Sequence, residues 1–267
     1  MEHNIENILS FDLSGKFAHF RKYYTNTSAL TYFLPPKTVL MGIISSVLEI
    51  PRNEYYDLFD SCGKDSIYIS VKISPKSDLV KRMHSINNLS DAYYKLANFN
   101  EKGKLVHYPT KTEILVNRDH SIIVYTVFVG FKSGNQNMNK FISKIKDNDF
   151  GYGVYLGQRQ FIGFIDNLAV YENDKIEFLE KSIILSTICN HDNFVNCDFT
   201  DSSINLTQER MPIGFEKIYI DKTKLSYRSP LAPKNIYFEK TGNDLHGDFR
   251  NCFKISNDNK DEYVSFF

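Results

Sequence analysis

The segment Leu34-Pro35-Pro36-Lys37-Thr38-Val39-Leu40-Met41-Gly42-Ile43-Ile44 restricts the fold of this chain more than any other. Two consecutive prolines cannot continue a sheet ladder or sit inside a helix, but proline suits the first helical turn, where a missing N–H costs nothing. Behind them Val39, Leu40, Ile43, Ile44, Val47 and Leu48 recur at the i, i+3, i+4 spacing of one buried face, and Pro51 ends the pattern. A helix is therefore predicted from about Pro36, with Gly42 lowering its stability but allowing close packing on a sheet. The sheet itself is legible around it. Ile8 to Leu13 reads as a strand broken by Gly15, and Ser66 to Ser74 alternates Ile67, Ile69, Val71 and Ile73 with polar residues. Ile114 to Val116 and Ser121 to Gly130 read as a hairpin around Asn117-Arg118-Asp119. Asn137 to Lys146 is weakly helical, and Phe161 to Tyr171 is again strand-like. Strand, helix, strand, hairpin, helix and strand give the β-α-β-β-α-β order of a ferredoxin-like, RRM-like α+β domain over residues 1–166.

Between Pro75 and Thr112 the chain turns basic and irregular, an insertion too long for an ordinary loop. Residues 167–267 carry short apolar runs among Asn, Asp, Ser and Pro, which predicts a smaller β-rich lobe. With 267 residues, 42% of them hydrophobic, the chain can bury a core for each part. Its formal net charge of zero argues against a uniformly nucleic-acid-binding surface, but the charge is segregated. Lys64 to Arg118 carries about five positive charges in excess, and Asp166 to Gln208 about six negative. One face for nucleic acid and another for protein is the expectation. A polar start and the lack of an apolar run of about 18 residues predict a cytoplasmic protein with no membrane contact. Cys189, His191 and Cys197 lack a fourth ligand and short zinc spacing, so no metal is expected. Gly151, Gly153 and Gly157 do not match G-x-G-x-x-G, nor does Gly15-Lys16 match a P-loop, so no nucleotide cofactor is expected.

Four segments in order carry a resemblance: Phe11-Asp12-Leu13-Ser14-Gly15-Lys16-Phe17-Ala18-His19-Phe20-Arg21, the Pro-Pro-Lys-Thr segment, Glu113-Ile114-Leu115-Val116-Asn117, and Tyr155-Leu156-Gly157-Gln158-Arg159-Gln160-Phe161. In spacing and residue type they resemble the fifth family of CRISPR-associated proteins, within the repeat-associated mysterious protein (RAMP) superfamily, over residues up to about Asp166. The last two segments are similar to the type I-B branch. The resemblance implies an antiviral-defence subunit that caps the 5′ handle of crRNA in a type I Cascade surveillance complex. It implies as partners the crRNA, the Cascade backbone subunit and the large target-recognition subunit. It also implies that the insertion near 75–112 forms a thumb-like β-hairpin.

Residue chemistry suggests where RNA would touch. Lys16, His19, Arg21 and Lys22 crowd the turn after the first strand, beside Tyr23 and Tyr24, which alternatively pack inward. Lys37 and Thr38 open the helix, whose first turn leaves N–H donors unpaired, although Thr38 could equally be a local cap. Lys104, His107, Lys111 and Arg118 lie in the basic region, and Gln158 and Arg159 follow the glycine-rich run. An open sheet could stack bases. The alternatives are a metal-independent endoribonuclease using His107, Tyr108 and Lys111, with His19 and His84 weaker candidates, or a ferredoxin-like module that binds only protein. No arrangement of residues identifies an acid–base pair, and a noncatalytic subunit is expected.

Overall fold

The computed structural model describes residues 5–26, 28–52, 54–59, 66–75, 77–89, 107–200, 203–219, 226–257 and 260–267. In chain order the first part runs β1 (Asn7–Gly15), the short strands β2 (Phe20–Arg21), β3 (Ser28–Ala29) and β4 (Thr31–Tyr32), helices α1 (Lys37–Val47) and α2 (Tyr55–Phe59), then β5 (Ile67–Ile73). It continues with β6 (Leu79–Leu89), β7 (His107–Asn117), β8 (Ile123–Phe131), α3 (Gln136–Lys146) and β9 (Gly163–Tyr171). The protein is mixed α+β, with strands dominating. A four-stranded sheet in the order β5-β8-β1-β9 is antiparallel throughout. Alternation places Leu9, Phe11 and Leu13 of β1, Ile67, Ile69, Val71 and Ile73 of β5, and Ile123, Tyr125, Val127, Val129 and Phe131 of β8 in one core with both long helices. α1 contributes Leu40, Ile44 and Val47 to it, and α3 contributes Met138, Phe141 and Ile145, with the Phe11 and Phe141 rings 5.7 Å apart. The Asn135 side chain caps α3 by accepting the Met138 N–H at 3.0 Å. Gly42 does not meet the sheet as expected. A Cβ there would touch only the Tyr55 hydroxyl at 3.6 Å, so the glycine sits on the outer side of α1.

The expected hairpin is corrected by the register. β7 does not pair with β8. It pairs with β6 over eleven residues, from Leu79 opposite Asn117 to Leu89 opposite His107, and with β3 on its other edge. The chain does turn after Asn117, whose side chain accepts the Asp78 N–H at 2.6 Å and donates to the Ser121 hydroxyl at 2.7 Å. That tie fixes the base of the β6/β7 pair and sends the following strand into the other sheet. The described parts of the insertion are thus regular strands, and residues 90–106 lie outside the described residues.

The remaining chain adds β10 (Ile176–Leu185), β11 (Cys189–Asn190), β12 (Phe194–Cys197), β13 (Leu206–Met211), β14 (Phe215–Tyr219), β15 (Ser226–Pro230), β16 (Lys234–Glu239), β17 (Leu245–Ile255) and β18 (Glu262–Val264). These strands cover part of the second face of the first sheet, while Phe164 and Asp166 of β9 remain exposed on it. Ile8 and Phe128 lie under Phe253, Ile255 and Val264. The Ser70 hydroxyl donates to the Ser265 carbonyl at 2.6 Å, and Lys72 pairs with Glu262 at 2.5 Å. The free edge of β5 is capped by N–H bonds from Ile188 to Val71 and from Phe267 to Ile69, both 3.1 Å. The cause is in the sequence: Ile8-Leu9 and Val127-Phe128-Val129 are apolar on both faces, and a strand of that kind needs cover on both.

Candidate nucleic-acid interface

The first turn of α1 and the glycine-rich segment after α3 form two walls of a cleft of about 960 Å3. Pro36 is the N-cap, with no side-chain cap bond, and its carbonyl accepts the Val39 and Leu40 N–H groups at 2.9 and 3.1 Å. Thr38 is therefore not the cap and lines the cleft instead, with Val39 and Ile43 behind it. The opposite wall is held against α1 by bonds from the Ser46 hydroxyl to the Gly153 carbonyl (2.7 Å) and from the Tyr152 N–H to the Ser46 carbonyl (3.1 Å). Gly151 makes this approach possible: its φ is +53°, and a Cβ there would fall 2.5 Å from the Ser46 carbonyl oxygen. Gly157, at φ +87°, seats the same wall on the turn after β1, where a Cβ would fall 2.0 Å from the His19 carbonyl oxygen.

Side chains of mixed character face the cleft. Tyr152, Ile162 and Phe164 are 66%, 65% and 56% exposed, far more than apolar groups of that size need to be. Arg52 and Arg159 stand at the rim, and among the described residues no carboxylate pairs with either guanidinium. Ser45, 1% exposed, backs the same space, its hydroxyl buried and without a hydrogen-bond partner. Exposed rings and two guanidiniums suit stacking and phosphate binding to a single strand. Arg52 was missed by the sequence reasoning because it follows Pro51 in no recognisable pattern.

The other expected contact residues are dispersed. Lys16 donates to the His120 carbonyl, and the Arg21 guanidinium to the Thr25 carbonyl at 3.0 Å. Arg118 pairs with Asp78 at 2.6 Å, and Gln158 accepts from Gln160 at 2.5 Å. Lys111 is exposed on β7, opposite Ser85 and beside Ser28. His84 is exposed on β6, opposite Thr112. Lys104 and the side chains of His107 and Tyr108 lie outside the described residues. His19 is buried at 1% exposure, its Nδ1 2.6 Å from the Glu113 carbonyl and its Nε2 without a partner. Burial holds its pKa below the ordinary value despite that carbonyl. Tyr23 and Tyr24 do not pack inward; both are exposed, edge to face at 5.1 Å.

Lys22 leads to an unexpected cluster. Its ammonium lies 3.1 Å from Glu209, a carboxylate that also receives Lys81 at 3.4 Å and the Phe33 N–H at 3.0 Å. Burial works against the charge on Lys22, but Glu209 holds its pKa above the ordinary value. Nothing in the local sequence of Glu209 signals this role.

No family model matches the chain, and no curated protein matches it either. Among solved structures it is similar to a chain of a CRISPR RNA-guided surveillance complex, at 14% identity and a TM-score of 0.49, over 88% of this chain and 92% of that one. It is also similar to a CRISPR protein from Archaeoglobus fulgidus at 11% identity and a TM-score of 0.41, over 97% of this chain and 100% of that one. A third similar structure is a Cas protein, at 15% identity and a TM-score of 0.34, over 58% of each chain.

Proposed function

We propose that this chain is a noncatalytic, cytoplasmic subunit of a type I CRISPR Cascade surveillance complex, of the I-B kind, that binds and caps the 5′ handle of crRNA and helps seed assembly. One observation carries the reading: Thr38 of the Pro-Pro-Lys-Thr segment and Tyr155, Gly157 and Arg159 of the Tyr-Leu-Gly-Gln-Arg segment, distant in sequence and both part of the family resemblance, line the same cleft. Arg52 and Arg159 would hold phosphates there while Tyr152, Tyr155 and Phe164 stack bases. The sheet order β5-β8-β1-β9, with α1 and α3 in its connections, supports a ferredoxin-like domain. The β6/β7 pair supports the thumb, with Lys111 midway along its described length, opposite Ser85. The acidic stretch with Glu172, Asp174, Glu177 and Glu180, together with exposed Ile183, Val195 and Phe199, would face protein partners.

The test is retention of guide RNA in the purified complex. Two charge-assisted contacts of about 1.5–3 kcal/mol each are at stake, so Arg52→Ala with Arg159→Ala should lower retention at least tenfold. Unchanged retention would remove the cleft from the RNA path. Repeat RNA incubated with the chain in EDTA should stay intact. Cleavage that a 2′-deoxy substitution abolishes would instead make the chain a processing enzyme.

A further inference from the structure

The turn after β16 is built from within. Glu239, 5% exposed, accepts the N–H groups of Thr241, Asn243 and Asn205 at 2.7, 2.9 and 3.0 Å, and the Thr241 hydroxyl at 2.8 Å. Gly242, at φ +81°, seats this turn on the chain entering β6; a Cβ there would lie 2.3 Å from the Ile73 carbonyl oxygen. The turn thereby brings the Lys240 ammonium to 4.6 Å from the centroid of the Phe33 ring, which Lys81 approaches to 4.0 Å. Lys22 completes the group through the shared Glu209 carboxylate.

Two ammonium groups from distant segments, Lys81 and Lys240, thus approach one ring, and a third, Lys22, shares the Glu209 carboxylate with Lys81. Of the carboxylates near them, Glu209 serves Lys22 and Lys81 and also accepts the Phe33 N–H. Glu113 accepts the Thr31 N–H at 2.9 Å. Among the described residues no carboxylate pairs with Lys240. Partly buried like charges held together by a fixed scaffold favour an anion that can bridge them. The pKa of Lys81 agrees with such crowding: burial lowers it, Glu209 restores only part, and the Lys22 charge lowers it further.

We infer that Lys22, Lys81 and Lys240 form an anion site for a backbone phosphate of single-stranded nucleic acid, and that Glu209 is its resident counter-ion, reducing affinity in the empty protein. The assignment rests on the reading of the chain as an RNA-binding subunit. It adds Lys81 and Lys240 as contacts outside the cleft and makes the two halves of the chain grip the strand jointly. Exposed Tyr24, 5.9 Å from the Lys22 ammonium at its ring centroid, is placed to stack a neighbouring base.

Two probes test it on the full chain: inorganic tripolyphosphate, read as a rise in Tm, and a labelled twelve-nucleotide oligo(U) RNA, read by anisotropy across salt concentrations. Lys240→Ala, a change at the surface of a turn, should shrink the tripolyphosphate rise and reduce the slope of log K against log salt by about 0.7 for one lost phosphate contact. Glu209→Gln keeps an acceptor for the Phe33 N–H and should enlarge both responses. If Lys240→Ala changes neither response, the site is wrong, whether or not Glu209→Gln folds. If oligo(U) does not bind at all while the tripolyphosphate response still depends on Lys240, the RNA reading falls and the anion site survives with a different ligand. If RNA binding depends on Arg52 and Arg159 but not on Lys240, the anion site falls and the RNA reading survives.

Discussion

His19 shows how a residue chosen for one task is used for another. A histidine among Lys16, Arg21 and Lys22 reads as an RNA contact, yet its ring is buried and its Nδ1–H donates to the Glu113 carbonyl. Nε2, without a partner, could gain a proton only as an unpaired buried cation, so burial depresses the pKa below the ordinary histidine value of about 6.5. A folded-state pKa below the unfolded one means that the unfolded chain binds protons first as pH falls. Stability from this residue is therefore complete above about pH 6.5 and is lost as pH falls through the folded-state value, by about 1.4 kcal/mol per unit of depression. Thermal melts at pH 7.5 and 5.5 should show this loss, and His19→Asn, which can still donate to Glu113, should reduce the difference. Equal pH dependence in both proteins would assign the acid sensitivity to other groups. The motif residues Glu113 and Asn117 are likewise structural, one accepting the Thr31 N–H and the other pinning the turn at Asp78. Sequence gives the residue type and its neighbours in the chain, but burial depends on what packs above it.

At the scale of elements, the glycine-rich segment separates two reasons for glycine. Gly153 has φ +94° and open space around its missing Cβ, whereas Gly157 has φ +87° and the His19 carbonyl directly in the way. Gly153→Ala should cost only backbone strain, about 1–3 kcal/mol. Gly157→Ala should cost more, displace the cleft wall and weaken RNA retention along with stability. Urea unfolding of the two variants checks the order, and equal losses would show that the wall can shift to accommodate the new methyl group. α1 was legible because its apolar spacing, its prolines and its length agree with one another. The β6/β7 pair was not, because β6 exposes Arg82, Met83, His84 and Ser85 and so lacks the half-buried alternation by which a strand is recognised.

For the whole molecule, the decisive event is the packing of the C-terminal strands on part of the second sheet face. Phe253, 6% exposed, packs in the cluster that covers Ile8 and Phe128. Phe253→Ala should lower the unfolding free energy by about 3–5 kcal/mol and reduce hydrogen-exchange protection in β1 and β8 as well as in β17. If β1 and β8 kept full protection, the two parts would fold as independent units. The predicted division at Asp166 falls within β9, which pairs with β1 from Gly163 to Tyr171. By itself the sequence determined the α+β class, the position of α1 and the alternating strands β5 and β8, because periodicity is set by neighbouring residues and a local pattern suffices to write it. Only the tertiary structure decided that Arg52 and Arg159 share a cleft, that Lys22 and Lys81 meet at Glu209 while Lys81 and Lys240 share the Phe33 ring, and that the C-terminal strands cover part of the second face of the sheet. Those pairings join residues distant along the chain, and their partners are chosen by packing rather than by any spacing that one segment carries.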